Sequence, residues 1–152
     1  MPDTILIVDD NRDYARWTES VLQSAGYSVE HAFSATEGLA KVKENPQKFF
    51  AIFSDITMEH SGAGLTMIPK MRRIGYQGVV VLESTGFDYP IVHFLSKWTL
   101  HLFGVDGLII KRKMLKEGKW QIDWISKRET VHDLNEKMKK IETIPGWKEK
   151  TN

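Results

Sequence analysis

Apolar residues recur along this chain in two rhythms. Thr4-Ile5-Leu6-Ile7-Val8 is a β-branched run with no polar alternation, the pattern of a parallel strand buried on both faces. It ends in Asp9-Asp10-Asn11, after which Tyr14, Trp17, Val21, Leu22 and Ala25 fall at helical spacing up to a stop at Gly26. Tyr27 to Ala32 predicts a second strand. Ser34 and Glu37 have the spacing of a capping box, whose hydroxyl and carboxylate satisfy free N–H groups at a helix start; that helix must end before Pro46. Phe49 to Ser54 is a third apolar run closing on Asp55, followed by a glycine-bearing loop and a helix from about Gly64 to Arg73. Val79 to Leu82 is a fourth run, and Val105 to Ile110 a fifth that ends at Lys111. Between these last two, residues 90–103 read as a helix with more apolar positions than one buried stripe can use. Two outlets stay open for them: cover from the C-terminal extension, or a partner or dimer surface.

Five such strands alternating with amphipathic helices predict a parallel sheet covered on both faces, because each parallel crossover needs a helix. Ligands then sit at the carboxyl ends of the strands. Asp9, Asp10 and Asp55 all fall at those ends, as do Lys111 and the hydroxyl pair Ser84-Thr85. Aspartates that merely end strands and cap helices are common. Three carboxylates at one edge, however, repel one another, and a hard divalent ion such as Mg²⁺ relieves that repulsion. One carboxylate oxygen is then free to attack a phosphoryl group, with Lys111 and a hydroxyl neutralising the phosphoryl oxygens.

Composition narrows the possibilities. A chain of 152 residues and 17.5 kDa fits one domain. The net charge of +1 gives no general electrostatic reason to bind nucleic acid or membrane, although residues 1–110 carry net −4 and residues 111–152 net +5. The basic residues of the second part are interleaved with acidic ones, and no reader module of nucleic acid fits there. Zero cysteines exclude a disulfide framework and thiol catalysis and suit a cytoplasmic protein, and the N-terminus carries no signal-peptide pattern. His31, His60, His93, His101 and His132 show no metal-ligand spacing.

Four segments, in order and at the right intervals, resemble the receiver domain of two-component response regulators: Ile5-Leu6-Ile7-Val8-Asp9-Asp10, Phe53-Ser54-Asp55-Ile56-Thr57-Met58, Leu82-Glu83-Ser84-Thr85-Gly86 and Gly104-Val105-Asp106-Gly107-Leu108-Ile109-Ile110-Lys111. The resemblance implies a flavodoxin-like, doubly wound five-stranded parallel sheet of order 2-1-3-4-5, with residues 1–152 forming a single receiver domain. It further implies Asp55 as phosphoacceptor, Asp9 and Asp10 as the acidic pair and Thr57 as donor of a metal-binding carbonyl. Thr85 is the implied switch hydroxyl, with Ser84 as the alternative, and Lys111 the implied cation. Mg²⁺ is the implied cofactor: Asp10 and Asp55 are expected to hold it directly and Asp9 through water. A histidine kinase or phosphotransfer protein would donate the phosphoryl group, and output would pass by contact with a further protein or a second copy, since no effector enzyme or DNA reader is visible. The alternative is a pseudo-receiver that binds or oligomerises regardless of phosphorylation. A dehalogenase-like phosphotransferase fits less well, because its second Asp two positions after the acceptor is missing.

Three departures accompany the resemblance. Met58 is followed by Glu59 where the family usually has proline, Lys111 by Arg112 where it usually has Lys-Pro, and Leu108 stands where family members swing an aromatic ring. The last helix also begins far downstream of Lys111: Val131, Leu134, Met138 and Ile141 predict it at about 127–143, opened by a capping box from Ser126 to Glu129 and closed by Pro145-Gly146. In the atypical segment 112–126, Trp120, Ile122 and Trp124 alternate with polar residues behind a turn-like stretch from Lys116 to Lys119. This pattern predicts a fifth strand continuing past Lys111 into a β-hairpin, with the three side chains on one face covering the 90–103 helix or meeting a partner.

Overall fold

A computed structural model describes residues 3–56, 63–84, 101–117, 120–122 and 124–141. Among them lie strands β1 (Thr4–Val8), β2 (Ser28–Ala32), β3 (Phe49–Asp55), β4 (Val79–Ser84), β5 (Gly107–Ile110) and β6 (Trp124–Ile125), and helices α1 (Arg12–Ser24), α2 (Ala35–Glu44), α3 (Ala63–Arg73), α4 (Lys111–Glu117) and α5 (Glu129–Lys139). The sheet runs β2-β1-β3-β4-β5-β6. Its first five strands are parallel, in the order expected, and β6 is antiparallel to β5.

Pleating divides the core. Ile5, Ile7, Phe53, Val81 and Ile109 face α1 and α5, while Leu6, Val8, Ile52, Leu82 and Leu108 face α2 and α3. Both faces are dry, which is why these strands read as unbroken apolar runs. The capping box of α2 forms with a small variation: Ser34 Oγ accepts from Glu37 N at 3.0 Å, but the Glu37 carboxylate accepts from Phe33 N at 2.9 Å, one residue further out. Gly64 is required by proximity, since a Cβ there would lie 1.8 Å from the Asp55 carbonyl oxygen. That close approach lets α3 pack directly behind the end of β3.

The region after β5 differs from expectation. The strand does not continue past Lys111; the chain turns at once into α4, because Lys111 to Glu117 are nearly all good helix formers. A return strand exists but is only two residues long, pairing Leu108 with Trp124 and Gly107 with Ile125. Trp120 and Ile122 are not offered to a partner. Both are buried in the core, where the Trp120 ring lies 5.6 Å from Phe53 and 6.5 Å from Trp17. Helix α5 buries Val131, Leu134 and Met138 against the same cluster. Its expected capping box is absent: the cap residue is Arg128, with no side-chain bond, while Ser126 Oγ accepts from Arg128 N at 3.3 Å and donates to Asp106 Oδ1 at 3.2 Å.

Asp106 organises the amino-terminal end of the sheet. Its Oδ2 accepts from Val80 N at 3.0 Å and from Arg72 and Arg128, each at 3.1 Å. Most of the 90–103 helix, including His93, lies outside the described residues, as do Thr57, His60, Thr85 and Pro145-Gly146. At its described end Leu102 is 64% exposed and Phe103 packs against the α2/α3 face.

Trp120→Ala should therefore behave as a core truncation. It is expected to cost about 3–5 kcal/mol in denaturant unfolding. A loss below about 0.5 kcal/mol, typical of surface positions, would show that the segment is not part of the core.

Candidate functional site

The site sits where β1, β3 and β5 end. Asp9 directly follows β1 and is buried; its Oδ1 accepts from Asn11 N at 2.9 Å, and Asn11 in turn caps α1 by accepting from Tyr14 N at 3.0 Å. Asp10 is exposed beside it. Asp55, the last residue of β3, is buried. One carboxylate oxygen from each of Asp9, Asp10 and Asp55 lies within 4.8 Å of the others. Oxygen donors of this charge suit a hard divalent cation such as Mg²⁺.

Lys111 reaches the same place from the first residue of α4. Its Nζ lies 2.8 Å from Asp9 Oδ2, 3.3 Å from Asp55 Oδ2 and 4.2 Å from the centroid of the Tyr14 ring. The side chain is buried. Burial alone would favour the neutral amine, but Glu83, Asp9 and Asp55 outweigh it and push the pKa up, so the ammonium stays charged.

Two participants escaped the sequence reading. Glu83 is buried on β4, and its Cα pairs with that of Asp55. Burial pushes its carboxyl up to about 8 despite the pull of Lys111, and Asp9 and Asp55 add to the rise. Tyr14, read as a core position of α1, presents its ring to Lys111, and burial, with the Glu83 charge adding to it, pushes its phenol well above the usual range. Strand parity was the available signal: residues 79, 81 and 83 alternate to the α1/α5 face, as do 53 and 55, so an acid at 83 lies beneath the acceptor. By the same parity Ser84 belongs to the opposite face. Among the described histidines, His31 pairs with Glu19 at 2.7 Å and His132 contacts Ser126 O.

The profile of the response regulator receiver domain family matches residues 5–97. Among curated relatives, the two-component response regulator ORR27 of Oryza sativa subsp. japonica is 32% identical over 89 residues, 58% of this chain and 14% of that protein. The acid tolerance regulatory protein ActR of Rhizobium meliloti is 38% identical over 72 residues, 47% of this chain and 36% of that protein. The chain thus spans well under half the length of these relatives. A solved receiver domain protein from Clostridium thermocellum superposes with a TM-score of 0.60 at 18% identity, covering 97% of this chain and 95% of its own. A CheY-like receiver from Methanospirillum hungatei gives 0.61 at 21%, covering 92% and 98%. These likenesses are likenesses of fold, which is flavodoxin-like.

The raised Glu83 carboxyl has a measurable consequence. Between its unfolded value of 4.5 and its folded value of about 8, the folded protein holds a proton that the unfolded chain releases, so stability falls as pH rises through that window. Melting curves of wild type and Glu83→Gln should therefore converge at acid pH and diverge toward pH 8 in favour of the variant. Parallel profiles would show that the folded carboxyl is not neutral.

Proposed function

The chain belongs to the response regulator receiver domain family, and from that premise we propose that it accepts a phosphoryl group on Asp55 and signals by protein contact. A histidine kinase or phosphotransfer protein is the donor in this reading. The observation that carries it is the convergence of Asp9, Asp10 and Asp55 around the Lys111 ammonium at one sheet edge. An Asp55 oxygen attacks phosphorus, the new O–P bond forms, and the bond to the donor's nitrogen breaks, its electron pair leaving with the donor. Lys111, already 3.3 Å from Asp55, neutralises charge on the incoming group.

Asp10 and Asp55 are assigned as direct holders of Mg²⁺, and Asp9, whose two oxygens are taken by Asn11 N and Lys111, as a ligand through water. When bound, the ion supplies neutralisation of the phosphoryl oxygens. A structural neighbour, the CheY of Borrelia burgdorferi, was solved in a complex with CheX, BeF₃ and Mg²⁺. The carbonyl of Thr57 and the hydroxyl of Thr85 complete the proposed set; Thr85 is preferred to Ser84 because the small residue Gly86 follows it.

Incubation with Mg²⁺ and a small phosphodonor should add one phosphoryl group by intact mass to wild type and none to Asp55→Ala. An unmodified wild type would leave a binding module that ignores phosphorylation. Leu108 supplies no ring to swing, so the modified state should be read out through residues 85–103. Hydrogen exchange in that segment is expected to change with BeF₃ and Mg²⁺, and an unaltered pattern would count against this route.

A further inference from the structure

Lysine is a flexible point charge on a four-carbon stem, and something must aim it. Here the Lys111 stem passes under α1, where Tyr14 presents its ring face 4.2 Å from Nζ. The residue is held in place: its backbone N–H is fixed by the Asn11 cap, and its ring packs 5.8 Å from Trp17 in the α1/α5 core. Asn11 is itself fixed by Asp9, so one stretch of chain supplies the carboxylate that binds the ammonium and the ring that covers it.

We propose that Tyr14 is a positioning residue for Lys111: its ring holds the ammonium against Asp9 and Asp55. A cation over an aromatic face is stabilised most where water is excluded, as it is here with both side chains nearly fully buried. The catalytic consequence rests on the phosphoacceptor reading; the positioning does not.

Two measurements separate them. In the NMR spectrum of the full chain, the Lys111 side-chain methylene protons, assigned by their loss in Lys111→Met, should lie upfield because of the ring current. They should stay upfield in Tyr14→Phe and return to ordinary positions in Tyr14→Leu. With Mg²⁺ and a small phosphodonor, Tyr14→Leu should slow modification of Asp55 about tenfold while Mg²⁺ affinity is kept, and Tyr14→Phe should retain most of the rate. Lys111 resonances at ordinary positions in wild type overturn the proposal without any variant having to fold. Equal rate losses in Tyr14→Phe and Tyr14→Leu overturn it too, because the hydroxyl rather than the ring would then matter. Upfield Lys111 signals in a wild type that cannot be phosphorylated uphold the positioning and refute the phosphoacceptor function instead.

Discussion

Carboxylates gathered at one sheet edge repel one another, and the Lys111 ammonium buried among them makes the arrangement tolerable. The balance is narrow. Removing a charge from water costs several kcal/mol per ion, and pairing offsets this only when geometry is close. Lys111 meets that condition with contacts of 2.8 and 3.3 Å to two different strands' carboxylates. Those contacts require β1, β3 and β5 to end at one level, which the parallel register imposes. The Glu83 carboxyl shows the limit: burial pushes it up to about 8, and Asp9 and Asp55 add to the rise, even though Lys111 pulls it down.

A second ionic cluster closes the opposite end. Asp106 takes two arginines, the Ser126 hydroxyl and the Val80 N–H, so α3, the start of β4 and the chain leading into α5 meet on one buried carboxylate. Segment 111–141 is thus tied at the top by Lys111, at the bottom by Ser126 and Arg128, and across the face by Trp120. The segment is continuous with the core, and that continuity explains why the chain tolerates so short a sixth strand: packing, rather than ladder bonds, holds it.

The parallel strands and the three aspartates were legible because doubly buried strands leave uninterrupted apolar runs and their ends leave charges, while the strand order came with the resemblance to receiver domains. The segment after Lys111 was not. Alternation at Trp120, Ile122 and Trp124 reads as a strand, yet only Trp124 lies in one; the buried Trp120 and Ile122 precede it as irregular chain crossing the core, and the helix propensity of Lys111 to Glu117 decided the structure before them. Ser126 and Glu129 had capping-box spacing, but the helix starts only at Glu129, so the Ser126 Oγ accepts from Arg128 N ahead of it while its hydroxyl donates to Asp106. Glu83 was passed over because it closed an apolar run, although its parity with residues 79 and 81 placed it in the pocket. Tyr14 fitted the core stripe of α1 so well that its second role was invisible until Lys111 was located in space.

The shared position of Lys111 also bears on how a modified Asp55 would be felt. The ammonium lies closer to Asp9 than to Asp55, so on the proposed reading a phosphoryl group, with more negative charge than a carboxylate, would draw it toward the acceptor. Both carboxylates lie within 3.3 Å of Nζ, which makes that shift short, and the ammonium can make it without leaving the Tyr14 ring. A movement so small cannot by itself reshape a protein surface. Leu108, buried on the far face of β5, provides no ring to amplify it. The amplifying element must then lie beyond β4, where the hydroxyl end of that strand leads into the apolar stretch that the sequence places at residues 90–103.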